Sequence, residues 1–444
     1  MKIMTQIFLS KRSVLLLLLL IECAYSYSQR NRKNAPAVFK AAVVKVNISP
    51  DTPKQLLGYN ARLSEGIHDS IYHRIAVLND GTTEFVLVAT EICLVSPTEY
   101  DRVAASIRRK LKIEPVNFWW SFTHTHSAPE VGPPGFGEVF LGDRFKHPVD
   151  TAYSNFIEKT IIDGITEARK KLEPAKLAKA WGFAQANINR RGIDINGKAS
   201  LGLNPDGPVD RRIGLIRLEK SDGSPMALIA NYPIHGTVMG GEFKQVSGDA
   251  PGIVTQYVED KLGAPVLFIN GAAGNLAPIY SVYPDPKAGH LGEFRVLLGD
   301  KILAANEKLT LSSDSIRIKS GMITAAIRAK DSLHITDELK KYAITSGNKT
   351  MILMPVRFLK LSDDLVIWAA PIELFCEISN EIREQSPFPF TFYYGYTNGW
   401  FGYMPTEAAW KNGGYEVEVV NPFSPTAEYE LKEAVGAYLK GEMR

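Results

Sequence analysis

Cysteine is nearly absent from this chain, with three in 444 residues. Cys23 lies in an N-terminal segment read below as a leader, which leaves Cys93 and Cys376. Two cysteines exclude a disulfide framework. A single bridge between them stays open, although both sit in apolar contexts where free buried thiols are common. Charge of one sign is lacking too: 51 Lys and Arg stand against 48 Asp and Glu, a formal +3. That balance gives no bulk electrostatic reason to bind nucleic acid. Beyond the leader, no apolar run approaches the roughly 20 residues that span a bilayer. Internal repeats, heptads, low-complexity tracts and Pro/Ser/Gly-rich linkers are missing as well, so one large domain is expected.

The N-terminus reads differently from the rest. Lys2, Lys11 and Arg12 precede an apolar run at 14–21 that contains six consecutive leucines, and Ala24, Ser26 and Ser28 follow. A basic start, a short apolar run and a small-residue exit describe a signal peptide over residues 1–28. The run is too short for a comfortable membrane anchor, and Glu22 is a poor neighbour for lipidation at Cys23. Cleavage is expected near Ser26 or Ser28. It removes three basic residues and one acidic one, leaving 48 against 47 and a charge of +1. The mature protein is expected to be exported, to the periplasm or beyond the cell. Residues 29–36, with Arg30, Arg32 and Lys33, read as a disordered, solvated lead-in to a domain over 37–444.

Hydrophobic periodicity then places the elements. Alternating strands are expected at 41–46, 74–78 and 84–89, the last two joined at Asn79-Asp80-Gly81, a strong hairpin signal. Helical spacing marks 98–111 and 149–172. A buried strand at 116–121 runs straight into Thr123-His124-Thr125-His126. Strands at 213–218 and 226–232 flank another turn. A helix is expected at 251–262, a short buried strand at 265–269 and a helix at 291–309. Sheet-like stretches at 315–328 and 351–370 lead to helices at 373–384 and 427–439. Hairpins mixed with helices predict a mixed α/β domain rather than a purely parallel one.

Histidine carries the sharpest chemical signal. In an extended segment, residues at i and i+2 share a face, so His124 and His126 can converge on one metal ion or one reacting group. Alone, the pair suits hydrogen-bonded surface histidines equally well. His235 adds a third imidazole at the exit of an apolar strand, next to Gly236. His68, His73, His147, His290 and His334 look mostly structural. Asn270-Gly271-Ala272-Ala273-Gly274-Asn275 follows a buried strand, and its small residues would let backbone N–H groups approach an anion. Residues 393–414 concentrate Tyr393, Tyr394, Tyr396, Trp400, Phe401, Tyr403 and Trp410 among glycines. That composition suits a pocket wall or a packed loop over a core.

Together these segments resemble the neutral, alkaline, non-lysosomal ceramidase family. The likeness runs over about residues 38–440. It begins with Gly58-Tyr59, Gly66-Ile67-His68-Asp69 and Tyr72-x-Arg74. It continues through Thr123-His124-Thr125-His126-Ser127-Ala128-Pro129, Asn187-Ile188-Asn189-Arg190, Pro233-Ile234-His235 and Ser247-Gly248-Asp249. Gly274-Asn275-Leu276-Ala277-Pro278 and Pro371-Ile372-Glu373 follow in order. The resemblance implies two mixed sheets flanked by helices and one Zn²⁺ per chain, held by His124, His235, Glu373 and Tyr403. Such a donor set suits zinc and leaves room for a water, whose pKa the metal lowers toward about 7. His126, Arg190 and Tyr415 would surround the scissile carbonyl, with His126 as proton shuttle and Arg190 or Tyr415 as partners of the oxyanion or product carboxylate. Read from residues alone, Glu373 suits a helix N-terminal acid, Tyr403 and Tyr415 suit packing, and Arg190 with Arg191 suits a solvated pair.

Three departures stand out. The family carries a serine with an assigned catalytic role where this chain has Ala277. Ala128-Pro129-Glu130 replaces Gly-Pro-Gly beside the metal loop. Ending at Arg444 after its last helix, the chain is expected to lack the C-terminal immunoglobulin-like domain that the resemblance implies. The readings that follow are a zinc amidase on ceramide or a similar N-acyl lipid, a zinc esterase or deacylase on another substrate such as a carbohydrate-linked acyl group, and a non-catalytic zinc-containing binding protein. A lipid or small-molecule substrate and peripheral membrane contact are expected partners; an obligate protein partner is not.

Overall fold

The computed structural model describes residues 38–132, 147–281, 290–333, 335, 340–347, 349–441 and 443. The expected leader and lead-in, and His334, lie outside the described residues. An eight-stranded mixed sheet carries most of the chain. Its order is Val266–Asn270, Pro225–Tyr232, Arg212–Lys220, Glu173–Phe183, Lys40–Asn47, Tyr72–Asn79, Glu84–Thr90 and Phe118–Phe122. The central pairings are antiparallel, while each edge strand runs parallel to its neighbour. A second sheet is built from Lys319–Arg328, Lys349–Ser362, Leu365–Ala369 and Phe390–Tyr394, with Ala343–Ser346 paired to its long strand.

Period-two alternation decides what each sheet face meets. Ala41, Ala76, Leu78, Leu87, Ile216 and Leu218 share one buried cluster with Leu359, Ile367 and Phe392 of the second sheet, so the two sheets face each other. The intervening Ile75, Val77, Val86 and Val88 turn the other way. They cluster with Val103 and Ile107 of helix Pro97–Leu111 and with Ile157, Ile161 and Ile165 of helix Thr151–Lys170. Met354, Val356, Phe358, Val366 and Trp368 belong to the same cluster as Ile378 and Ile382 of Cys376–Glu384 and Leu431 and Val435 of Ala427–Lys440. Helix, sheet, sheet, helix is the arrangement the resemblance implied. Helices Asp249–Leu262 and Asp300–Asn306 cover the remaining end of the large sheet through Val254, Val258 and Ile302.

Two expected helices differ. The stretch read as helix at 291–309 divides into a 3₁₀ turn at His290–Glu293, a π turn at Arg295–Gly299 and α-helix only at Asp300–Asn306. A Cβ on Gly299 would sit 2.7 Å from the Tyr257 ring, so this segment lies too close to its neighbour for an ordinary residue there. The helix expected from 373 begins instead at Cys376, and Glu373–Leu374 is a short strand paired in parallel with Tyr403–Met404. Among the described residues, no helix is long and apolar enough to cross a membrane. Cys93 and Cys376 are both free and buried.

Candidate active site and metal centre

Strands Phe118–Phe122, Pro225–Tyr232, Val266–Asn270 and Phe390–Tyr394 all run out at one end of the sandwich. Both parallel edges of the large sheet deliver their C-terminal ends there, where ligands of open α/β sheets usually bind. The segment after Phe390–Tyr394 closes the gap between those edges. Tyr396 O accepts from Phe122 N at 3.1 Å, Asn398 Oδ1 accepts from Trp120 N at 2.7 Å, and Gly395 N donates to Asn270 O at 3.0 Å. Asn270 ties the histidine segments together. Its Nδ2 donates to Thr123 O at 3.1 Å and to Ile234 O at 2.7 Å, and its Oδ1 accepts from Ile234 N at 3.0 Å. Nothing in the sequence pattern marked this side chain as more than one end of a glycine-rich segment.

His124 and His126 do meet, but not as two residues on one face of a strand. The strand ends at Phe122, and His124 has φ +63°, a left-handed conformation uncommon for a residue with a side chain. The surroundings hold it there. Gly236 N donates to His124 O at 3.1 Å, and His126 N donates to Gly236 O at 2.8 Å. A Cβ on Gly236 would lie 2.6 Å from Thr125 Cα, so only glycine lets the two histidine-bearing segments approach this closely.

Around Glu373 the donors converge. Glu373 Oε2 is 3.3 Å from His124 Nε2 and 3.1 Å from His235 Nε2, and His235 Nε2 is 3.3 Å from Tyr403 Oη. A tetrahedral ion at about 2.0–2.1 Å from its ligands sets them about 3.3 Å apart, so these separations fit its edges. The imidazoles are also oriented for the task. His124 Nδ1 lies 3.0 Å from Cys93 O and His235 Nδ1 lies 2.9 Å from Leu276 O. A carbonyl accepts only, so both Nδ1 atoms carry the proton and both Nε2 lone pairs face inward. Glu373 is fixed in turn by Trp400 Nε1, which donates to Oε1 at 2.9 Å, and by Tyr396 Oη, which donates to Oε2 at 3.3 Å. The aromatic segment is thus buried packing that also aims a carboxylate. The glycine-rich segment is no anion nest: Gly274 N donates to Leu374 O and Leu276 N to Ala273 O. Its small residues serve close packing, since a Cβ on Gly274 would lie 2.6 Å from Glu373 O.

Arg190 and Arg191 are buried rather than solvated. Arg190 Nη2 donates to Tyr403 Oη at 3.0 Å and its Nε to Glu416 Oε1 at 2.9 Å, while Arg191 Nη1 donates to Glu416 Oε2 at 2.7 Å. Glu416 was not singled out in the sequence; two adjacent buried arginines demand such an acid, but no local pattern says where it lies. The Tyr415 ring meets that of Tyr403 edge-on at 5.8 Å. His126 Nε2 is 3.1 Å from His124 Nε2, and its half-buried ring packs edge-on against Tyr59 at 4.9 Å. Gly58, with φ +118°, makes room for it, because a Cβ there would be 2.4 Å from the His126 ring. Ala277 pairs with Ile188 one residue beyond the carbonyl that orients His235. Glu130 pairs with His147 at 2.9 Å.

The electrostatics are those of an anion among donors. Burial opposes ionisation of Glu373, yet His124 and His235 hold it well below the usual carboxylate range. Burial also disfavours a charged His124, but Glu373 and Cys93 outweigh it and lift the imidazole to about 10. Burial and Arg190 push His235 down to about 3. The charge that draws a proton onto His124 equally draws a divalent cation to the four donors.

Comparisons with known proteins bear on the fold and on part of the sequence. The family model for the neutral/alkaline non-lysosomal ceramidase N-terminal region matches residues 50–270. That range contains His124, His126, Arg190 and His235; Glu373, Tyr403 and Tyr415 lie beyond it. Neutral ceramidases A and B of Dictyostelium discoideum are 28% and 27% identical over 228 residues, 47% of this chain. The match spans 30% of each relative's own length. The crystal structure of neutral ceramidase from Pseudomonas aeruginosa superposes with a TM-score of 0.72 at 17% identity, covering 90% of this chain and 74% of that one. A ceramidase complexed with C2 gives the same score and identity over 91% and 76%. In fold, and in sequence over residues 50–270, the chain is neutral-ceramidase-like.

Proposed function

We propose that this chain, related over residues 50–270 to the neutral/alkaline non-lysosomal ceramidases, is an exported zinc-dependent hydrolase that cleaves the amide bond of an N-acyl lipid. The observation that carries the reading is the set of His124 Nε2, His235 Nε2, Glu373 Oε2 and Tyr403 Oη at tetrahedral-edge separations, with both Nδ1 atoms committed to carbonyls. These four would hold the zinc, which supplies a Lewis acid and an activated water when bound.

The remaining chemistry belongs to the chain. His126 Nε2, beside His124 Nε2, is placed to take a proton during attack and return it to the departing nitrogen, as an amine leaving group requires. Arg190 stays cationic because Glu416 and Tyr403 accept from it, and its guanidinium stabilises negative charge developing on the carbonyl oxygen. Tyr415 lines the same side. Buried surroundings strengthen each of these interactions relative to water.

A second reading keeps the zinc and changes the substrate to an ester or a carbohydrate-linked acyl group. Ala277 favours it, because a methyl group there can neither attack nor donate a hydrogen bond. Turnover of an N-acyl sphingosine and of the matching acyl ester, with and without a chelator, separates the readings. Chelator-sensitive amide cleavage supports the first, ester cleavage alone the second. Bound zinc without turnover of either leaves the non-catalytic binding protein.

A further inference from the structure

Beside the candidate site, strands Asn187–Ile193 and Ala199–Asn204 form a hairpin that projects outward. Its base is anchored at the site: Arg190 and Arg191 reach Glu416, and Asn204 Nδ2 donates to Arg191 O at 2.9 Å. Its tip is rigid. Asp194 Oδ1 accepts from Asn196 N and Lys198 N at 2.9 and 2.8 Å, and Asn412 Nδ2 donates to Gly197 O at 2.7 Å. Yet the outer part is apolar and exposed: Ile193 at 48%, Ile195 at 99%, Leu201 at 57% and Leu203 at 39%.

The faces are unequal. Cross-strand pairing of Arg191 with Leu201 and of Ile193 with Ala199 puts Ile193 and Leu201 on one face, since partners share a side and alternate residues return to it, and exposed Leu203 follows where the register shifts. The opposite face carries Gly192, Ser200 and Gly202, and Gly192 and Gly202 lie directly against each other. A β-hairpin with aliphatic side chains on one face and almost none on the other has no core of its own to cover. Exposed aliphatics gathered on one element mark an interaction surface.

We propose that this hairpin inserts shallowly into a lipid surface and docks the site against it. The proposal rests on the N-acyl lipid reading above. The apolar area favours lipid over a second copy of the chain: four side chains offer a few hundred Å², against about 800 Å² per partner in a stable dimer. All four are aliphatic, which suits hydrocarbon, and the exposed tip residues Asp194 and Lys198 offset each other's charge and can stay at headgroup level. Continuity from the tip through Arg191 to Glu416 and Arg190 then sets the site beside the surface from which its substrate is drawn.

The test uses the mature chain and substrate-free vesicles of phosphatidylcholine with phosphatidylglycerol. Wild type is expected to co-sediment, and the double variant Ile195→Ser, Leu201→Ser to bind at least tenfold more weakly while keeping its turnover of a soluble short-chain N-acyl substrate. An environment-sensitive dye on Ile195→Cys is expected to shift to the blue on vesicle addition. Wild type that stays in the supernatant overturns the docking proposal and leaves turnover of the soluble substrate, and with it the hydrolase reading, standing. A double variant that binds as wild type does, or that instead converts a dimer to a monomer in light scattering, also overturns it.

Discussion

Glu373 lies at the centre of the site, and the groups that aim it are as informative as the donors around it. Trp400 Nε1 and Tyr396 Oη fix its two oxygens. Outer partners of this kind commonly contribute 10–100-fold in metal affinity. Trp400→Phe, which keeps an aromatic ring but removes the N–H and part of the ring system, is expected to weaken zinc binding about tenfold or more; titration against a competing chelator measures it. Asn270 tests the clamp on the histidine segments. Asn270→Ala leaves Ile234 N and two carbonyls unpaired in a buried place, at a cost of about 1–3 kcal/mol per unsatisfied group at most. Denaturant unfolding should show the loss, together with weaker metal binding. The residues that the fold gathers around Glu373 were legible: three histidines at strand exits suggested a metal, and the motif order supplied Glu373 and Tyr403. Trp400, Asn270 and Glu416 were not, because their roles depend on partners that lie from 27 to 226 residues away in sequence, in the bonds Trp400–Glu373, Asn270–Thr123 and Arg190–Glu416, and that meet only once the chain is folded.

Elements explain how such distant residues meet. Turn chemistry was easy to read: Asn79-Asp80-Gly81 joins Tyr72–Asn79 to Glu84–Thr90 as expected, with Asp80 Oδ1 accepting from Thr82 N and Thr83 N. Glu373 was misplaced at a helix start because an acid before an amphipathic stretch has the same pattern whether or not two residues first pair as a strand. Strand Glu173–Phe183 escaped notice since its lysines interrupt the apolar alternation. At this scale Gly236 is the decisive position. Gly236→Ala is expected to force apart the segments bearing His124 and His235, lowering both metal content and thermal stability, whereas Gly223→Ala in an open turn should leave the metal untouched. The buried Arg74 gives a second element-scale test. It joins Glu91 and Glu259, tying the large sheet to helix Asp249–Leu262. Arg74→Met leaves the buried Glu91 without its cation and Glu259 with Lys45 alone, and is expected to cost about 3–5 kcal/mol.

Among the described residues from Phe39 onward, two sheets share one apolar interior and their strand ends assemble the site at one end. The protein's stability should carry a pH signature from His73, buried in the large sheet beside Thr90. Burial lowers this imidazole from 6.5 to about 3. The unfolded chain therefore binds a proton near 6.5 that the folded chain refuses until about 3. The contribution to stability is full above 6.5 and is lost as pH falls through that window. Asp249, raised by burial to about 6, acts in the opposite sense, so the comparison with His73→Gln isolates the histidine. The melting temperature of wild type is expected to fall more steeply than that of the variant between pH 7 and 4. The overall architecture was legible from mixed hairpins and helices, but the curling of the large sheet that brings its edges together at Asn270 was not, since no local pattern encodes how two distant edges meet.

The central claim is that His124, His235, Glu373 and Tyr403 hold one zinc ion. Elemental analysis of the purified mature protein, with His124→Ala and Tyr403→Phe measured alongside, tests it most directly. The account predicts about one zinc per chain in wild type, lost in His124→Ala and weakened in Tyr403→Phe while both variants stay folded. Wild type that binds no zinc after loading, or His124→Ala that retains it in full, would contradict the account and leave a likeness of fold alone.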